Sequence, residues 1–211
     1  MNKKIYGALV VLVLVAMACG TTTGTSSKIL YQDKFTDTKS GWPHHQTANS
    51  TMDYANGGYR INVTTTDLLA FATIGKSFQS DVSVEADATK TAGPDDNYIG
   101  VVCRYVDENN FYFFAISSDG YAGIAMYKDD TMSILSGSQF DSSSAVNQGA
   151  ATNHIRADCV GSTLTLYVNS TQVTSITDST FSSGGDAGLL ARANGTSGVD
   201  ILFTNFVVSK P

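Results

Sequence analysis

Asp81-Val82-Ser83-Val84-Glu85-Ala86-Asp87-Ala88-Thr89 alternates without a break: Val82, Val84, Ala86 and Ala88 are apolar, and each residue between them is polar or charged. Side chains of an extended chain point to opposite faces with period two. The stretch therefore predicts a strand with one face in a core and the other in water. The same period recurs downstream. Leu164, Leu166 and Val168 alternate with Thr163, Thr165 and Tyr167 and run into Asn169-Ser170, a pair suited to a tight hairpin turn. From Ile29 onward no window of a dozen residues keeps apolar positions at helical spacing. Strands are expected at roughly 59–64, 69–78, 81–89, 97–106, 111–117, 121–127, 131–136, 153–160, 163–168, 171–176, 186–193 and 199–208. Asn56-Gly57-Gly58, Gly93-Pro94-Asp95-Asp96, Ser118-Asp119-Gly120 and Ser182-Ser183-Gly184-Gly185 separate them with the residue types that turns require. About a dozen strands and no helix predict an all-β chain, an antiparallel β-sandwich or barrel.

Composition agrees with one such domain over residues 29–211. Of 211 residues 42% are apolar and only 15% charged, with 19 Gly and 3 Pro, which excludes a disordered tail or a collagen-like repeat. The polar interval Ser136–Ala151 reads as a surface crossing. Net charge is −6, and it falls to −8 once Lys3 and Lys4 are removed with the first eighteen residues. A nucleic-acid partner needs a basic footprint, and none is present. Glu85 and Glu108 are the only glutamates among 19 acids, a bias toward aspartate that suits turns rather than helices.

The first residues read as an address. Asn2-Lys3-Lys4 is a basic lead, Ile5 to Ala18 is uncharged and apolar, and Ala18-Cys19-Gly20 closes the segment with small residues. Fourteen apolar residues fall short of the roughly 20 that span a bilayer. Residues 1–18 are thus expected to be an export signal, and the cysteine at the cleavage point makes it resemble a bacterial lipoprotein signal, an ordinary secretory signal with Cys19 incidental being the alternative. Cys19 would be lipidated and would hold the protein to a membrane, with residues 19–28 as a flexible Thr/Ser/Gly tether. Ala16 and Met17 depart from the usual lipoprotein pattern. Two cysteines remain in the body. Cys103 shares a strand face with Ile99 and Val101, and Cys159 shares one with Ile155 and Ala157, so both point to the apolar side. In an exported protein such a pair is a disulfide candidate, though two buried free thiols would fit the same pattern.

Five segments in order carry a resemblance: Phe35–Trp42 (F-T-D-T-K-S-G-W), Tyr98–Tyr105 (Y-I-G-V-V-C-R-Y), Asn109–Gly120 (N-N-F-Y-F-F-A-I-S-S-D-G), Leu164–Asn169 (L-T-L-Y-V-N) and Phe203–Val207 (F-T-N-F-V). Together they resemble the concanavalin A-like, or laminin G-like, jelly-roll domains of bacterial envelope lipoproteins. Within these, the chain is similar to the group labelled 3-keto-disaccharide hydrolase domain. The resemblance implies two face-packed antiparallel sheets, one with a concave face able to hold a ligand. It leaves three functions open: a carbohydrate-binding module, a hydrolase of oligosaccharides, or a structural envelope protein.

The residues favour binding over catalysis. Glycosidases need two carboxyls flanking the scissile bond, and Glu85-Ala86-Asp87 puts two on one strand face. The third acid of the laminarinase-like signature would fall at Lys90, so no catalytic residue is assigned. A serine-hydrolase elbow is absent from the sequence, and the histidines are only His44, His45 and His154. Sugars are gripped by aromatic faces with polar groups around them, which makes Tyr98, Arg104, Tyr112, Tyr121 and Tyr127 the expected ligand contacts. The resemblance places Arg104 and Tyr112 on the concave sheet. Trp42 is expected to plug the core where the chain ends meet. The resembled folds often carry one structural calcium, for which Asp33 and Asn205 are the candidate ligands, although Thr204 stands where the family has a carboxylate. No other cofactor is expected.

Overall fold

A computed structural model describes residues 27–211. The signal segment, Cys19 and all of the tether up to residue 26 lie outside the described residues. Among the described residues there are sixteen strands and no helix. In the first half these are β1 (Ile29–Asp33), β2 (His45–Gln46), β3 (Ser50–Ala55), β4 (Gly58–Val63), β5 (Leu69–Thr73), β6 (Val82–Ala92), β7 (Asn97–Asp107) and β8 (Asn110–Ile116). The second half holds β9 (Tyr121–Lys128), β10 (Thr131–Ile134), β11 (Asp141–Ser142), β12 (Thr152–Val160), β13 (Thr163–Val168), β14 (Thr171–Thr177), β15 (Asp186–Ala193) and β16 (Val199–Ser209). All twelve strands read from alternation are present. The additional four, β1, β2, β3 and β11, are short or lack a clean period.

The strands form two antiparallel sheets, the jelly-roll sandwich that the sequence implied. Sheet I runs β14-β13-β12-β6-β16-β4-β3-β2, and β1 joins it on β16; sheet II runs β10-β9-β8-β7-β15-β5, with β11 on β9. On β16, β4 pairs along Val199–Phe203 and β1 along Phe206–Ser209. The register slips at Asn205, whose φ of 52° lets the strand change partners. Three hairpins close on pairs of residues with positive φ: Asn56-Gly57, Asp129-Asp130 and Asn169-Ser170. That is the turn whose twist matches antiparallel strands.

Between the sheets the alternating apolar residues interdigitate. Val84 and Ala86 of β6, Ile155 and Ala157 of β12, and Leu164 and Leu166 of β13 face Ile99 and Val101 of β7 and Leu189 and Ala191 of β15, all excluded from water. Each large aliphatic side chain so buried contributes roughly 1.5–3 kcal/mol. Where β1 meets β16, Trp42 is wedged among Phe35, Tyr59 and Phe206, with ring centroids 5.0–5.2 Å away. The sheets are also tied covalently. Cys103 on β7 and Cys159 on β12 are joined by a disulfide with Cα atoms 6.9 Å apart, at the upper edge of the usual span.

Candidate functional site

The outward face of sheet II is itself apolar. Val102 on β7, Phe111, Phe113 and Ala115 on β8, Ala125 on β9 and Leu190 on β15 point away from the main core, yet all are fully buried. Among the described residues no third layer of strands covers them. They are sealed by side chains on the sheet's margins, among them Phe71, Tyr98, Tyr105, Tyr127 and Met132, and by Phe140 from the loop after β10. Phe140 lies on Gly123, where any Cβ would collide with its ring. Phe71 and Tyr127 flank Phe111 at 4.9 and 5.6 Å, the latter nearly parallel to it.

A hollow of about 600 Å³ opens on this face. Its walls are Leu69, Phe71, Tyr127 and Met132, and its rim carries Asp67, Glu108, Asn109 and Asp130. Arg192 of β15 reaches into it. One guanidinium nitrogen donates to Asp67 Oδ1 at 2.8 Å, another lies 3.3 Å from Met132 Sδ, and the group sits 5.6 Å from the centre of the Tyr98 ring. Its Nε is buried and finds no partner among the described residues. A second, smaller depression of about 300 Å³ lies beyond Tyr98, between that ring, Tyr121, Asp96, Asp119 and Phe140. Burial pushes the Tyr98 hydroxyl above its ordinary pKa, an effect opposed by Arg192 and reinforced by Asp96, Asp119 and Asp67. Exposed aromatic faces, a planar donor and several acceptors are the groups that a polyhydroxylated ligand requires.

The structure divides the five expected contacts. Tyr127 lines the hollow, and Tyr98 and Tyr121 line the smaller depression. Arg104 and Tyr112 are in neither, and both expectations are corrected. Alternation along β7 would send Arg104 outward with Tyr98. A register slip after Cys103 and a φ of 51° at Arg104 turn its side chain inward instead, and Tyr105 takes the outward place. Arg104 is 1% exposed and donates to the carbonyls of Ser80, Gly161 and Phe181, pinning three loops. Tyr112 faces the main core with Phe114 and Ile116. Its hydroxyl donates to Asp178 and accepts the Phe181 N–H at 3.0 Å, and burial, helped by Asp178, pushes its pKa up to about 12. Strand β8 is apolar on both sides, so its sequence holds no mark of which face is inward. Arg192, Asp67, Glu108 and Asp130 were missed. Arg192 was legible in principle, since it alternates with inward Leu189, Ala191 and Ala193.

Asp33 and Asn205 are each engaged in hydrogen bonds of their own. Asp33 accepts the Phe35 N–H at 2.7 Å and the hydroxyls of Ser40 and Tyr31, while the Asn205 amide donates to Asp87 at 2.8 Å. Glu85 and Asp87 lie on the outward face of sheet I. His154 bridges them, Nδ1 at 2.7 Å from Asp87 and Nε2 at 3.4 Å from Glu85, and these contacts hold the imidazole pKa above its ordinary value.

No protein-family model matches the chain, and no curated protein matches it in sequence. Solved structures do match in shape. A carbohydrate-binding module from Bacillus subtilis superposes with a TM-score of 0.64 at 19% identity, over 81% of this chain and 96% of that one. A Bacillus subtilis protein of unknown function with a galectin-like fold gives 0.62 at 8% identity, over 87% and 96%. A GlcNAcα1-4Gal-releasing endo-β-galactosidase from Clostridium perfringens gives 0.58 at 11%, over 89% and 64%. At these identities the likeness establishes the fold: a concanavalin A-like sandwich.

Proposed function

We propose that this chain is an exported, non-catalytic carbohydrate-binding domain, anchored to a membrane through lipid on Cys19, that holds its glycan on the outward face of sheet II. The observation that carries the reading is the 600 Å³ hollow walled by Phe71 and Tyr127, with the Arg192 guanidinium inside it. Aromatic planes take the C–H faces of a sugar ring, and the Arg192 guanidinium is a planar donor among the lining residues. Concave sites lined by aromatic groups and a few fixed polar ones are the usual form of a ligand site. That one structural neighbour is named a carbohydrate-binding module supports the reading. Hydrolysis by Glu85 and Asp87 is the weaker alternative, because both acids are engaged by one imidazole on the opposite face.

The test is a glycan array probed with the full chain in a detergent that has no sugar headgroup. Saturable binding by the wild type, lost in Tyr127→Ala with Arg192→Ala at unchanged melting temperature, is the expected result. A blank array from folded, monodisperse protein would overturn the proposal. The anchor is tested separately, by incorporation of labelled palmitate that disappears in Cys19→Ala.

A further inference from the structure

The two depressions on sheet II differ from most anion sites in their charge. Around the larger one stand Asp67, Glu108 and Asp130, and around the smaller one Asp96 and Asp119. Among the described residues Arg192 is the only cation lining either, and it is already paired with Asp67. Tyr98 links the two, its ring under the Arg192 guanidinium on one side and against Phe140 at 4.6 Å on the other. The apolar and aromatic walls supply contact that is indifferent to charge, so the charge of the rim decides which ligands approach.

From this arrangement we infer that the face takes a sugar chain that is uncharged or bears free amines, and that it rejects chains bearing uronate, sialate or phosphate groups. The inference rests on the carbohydrate-binding reading and narrows it. An anionic chain along the face would place its carboxylates against five of like sign with one neutralised guanidinium in reach. A neutral chain meets acceptors for its hydroxyls beside the donors of Arg192, Asn109 and Gln139, and an amine meets acceptors that also neutralise it. Asp67, Glu108, Asp130, Asp96 and Asp119 are all exposed, so the discrimination weakens as salt shortens the range of the field, about 8 Å at physiological ionic strength.

Three immobilised probes test this with the full chain at low and at physiological salt: chitosan oligosaccharides, their N-acetylated counterparts, and polygalacturonate. Retention on either or both of the first two, with binding to polygalacturonate at least tenfold weaker, supports the inference. The Asp67→Asn, Glu108→Gln, Asp130→Asn triple variant should narrow that gap while keeping its melting temperature. Binding of polygalacturonate as tight as that of the neutral chain would overturn the selectivity and leave the carbohydrate reading standing. Failure of folded protein to bind any sugar chain, on these probes and on the array, would overturn both.

Discussion

The two outward faces of the sandwich are built from the same alternation and have opposite characters. On sheet I the outward positions hold a polar ladder: Glu85, Asp87 and Asn205 around His154, and Arg156 3.9 Å above the Tyr167 ring and 3.1 Å from Asp158. Most of these groups are engaged by one another, although the buried Nε of Arg156 finds no partner among the described residues. On sheet II the outward positions hold Phe111, Phe113 and Leu190, fully buried, with an open hollow beside them. An outward sheet face normally saturates itself with water and cross-strand pairs. Sheet II instead seals an apolar outward set under its margin side chains and leaves a hollow beside them.

The sharpest way to break this comparison is to truncate one residue on each face. Phe111→Ala should cost about 3–5 kcal/mol, the loss expected of a fully buried aromatic, whereas Thr165→Ala on sheet I should stay within about 0.5–1 kcal/mol. Denaturant melts of both variants decide it, and equal losses would mean that sheet II's outward face is no second core. Next in size is the covalent tie between the sheets. Reducing Cys103–Cys159, or replacing both cysteines by Ala, should remove about 2–4 kcal/mol, read as a lowered denaturation midpoint, with both sheets affected equally because the bond joins them.

A smaller effect on stability, and a larger one on function, is expected from the hollow. Arg192→Ala and Tyr127→Ala should each weaken glycan binding at least tenfold by calorimetry, while Arg156→Ala on sheet I leaves it unchanged. The smallest effect is electrostatic. Since contact with Glu85 and Asp87 raises the folded-state pKa of His154, its contribution is complete below the ordinary imidazole value and is lost as pH rises through the raised one. The side chain is 39% exposed, so after allowance for solvent screening the contribution is below about 1 kcal/mol. The melting temperature should fall slightly across that window, and in His154→Gln the slope should vanish.

Sheet I was legible because its strands have one wet face, as in Val82–Ala88 or Leu164–Val168, and alternation alone fixes which side chains enter the core. Sheet II was legible as strands but not as faces. Phe111–Ile116 is apolar at every position, so the outward set could be picked only by guessing which side carried the hydroxyl, and the structure puts Tyr112 inside. Arg104 was lost for a different reason: a single bulge changes the parity of everything after it, and nothing in Cys103-Arg104-Tyr105 announces one. The rim of the hollow comes from the segment before β5, from the β7–β8 and β9–β10 turns and from β15, separated by long stretches of chain. Only the fold brings those together.

The chain enters the sandwich through β1 in the plane of sheet I, and Ser27 borders a small depression with Glu85, Arg156 and Asp158 on that sheet's outward side. The eight peptide links from Cys19 to Ser27 reach at most about 28 Å. Were Cys19 lipidated as proposed, a link of that length would hold Ser27, and with it the adjoining part of sheet I, within about 28 Å of the leaflet. A domain so held would search only a layer close to the surface, and lengthening the link would widen that layer.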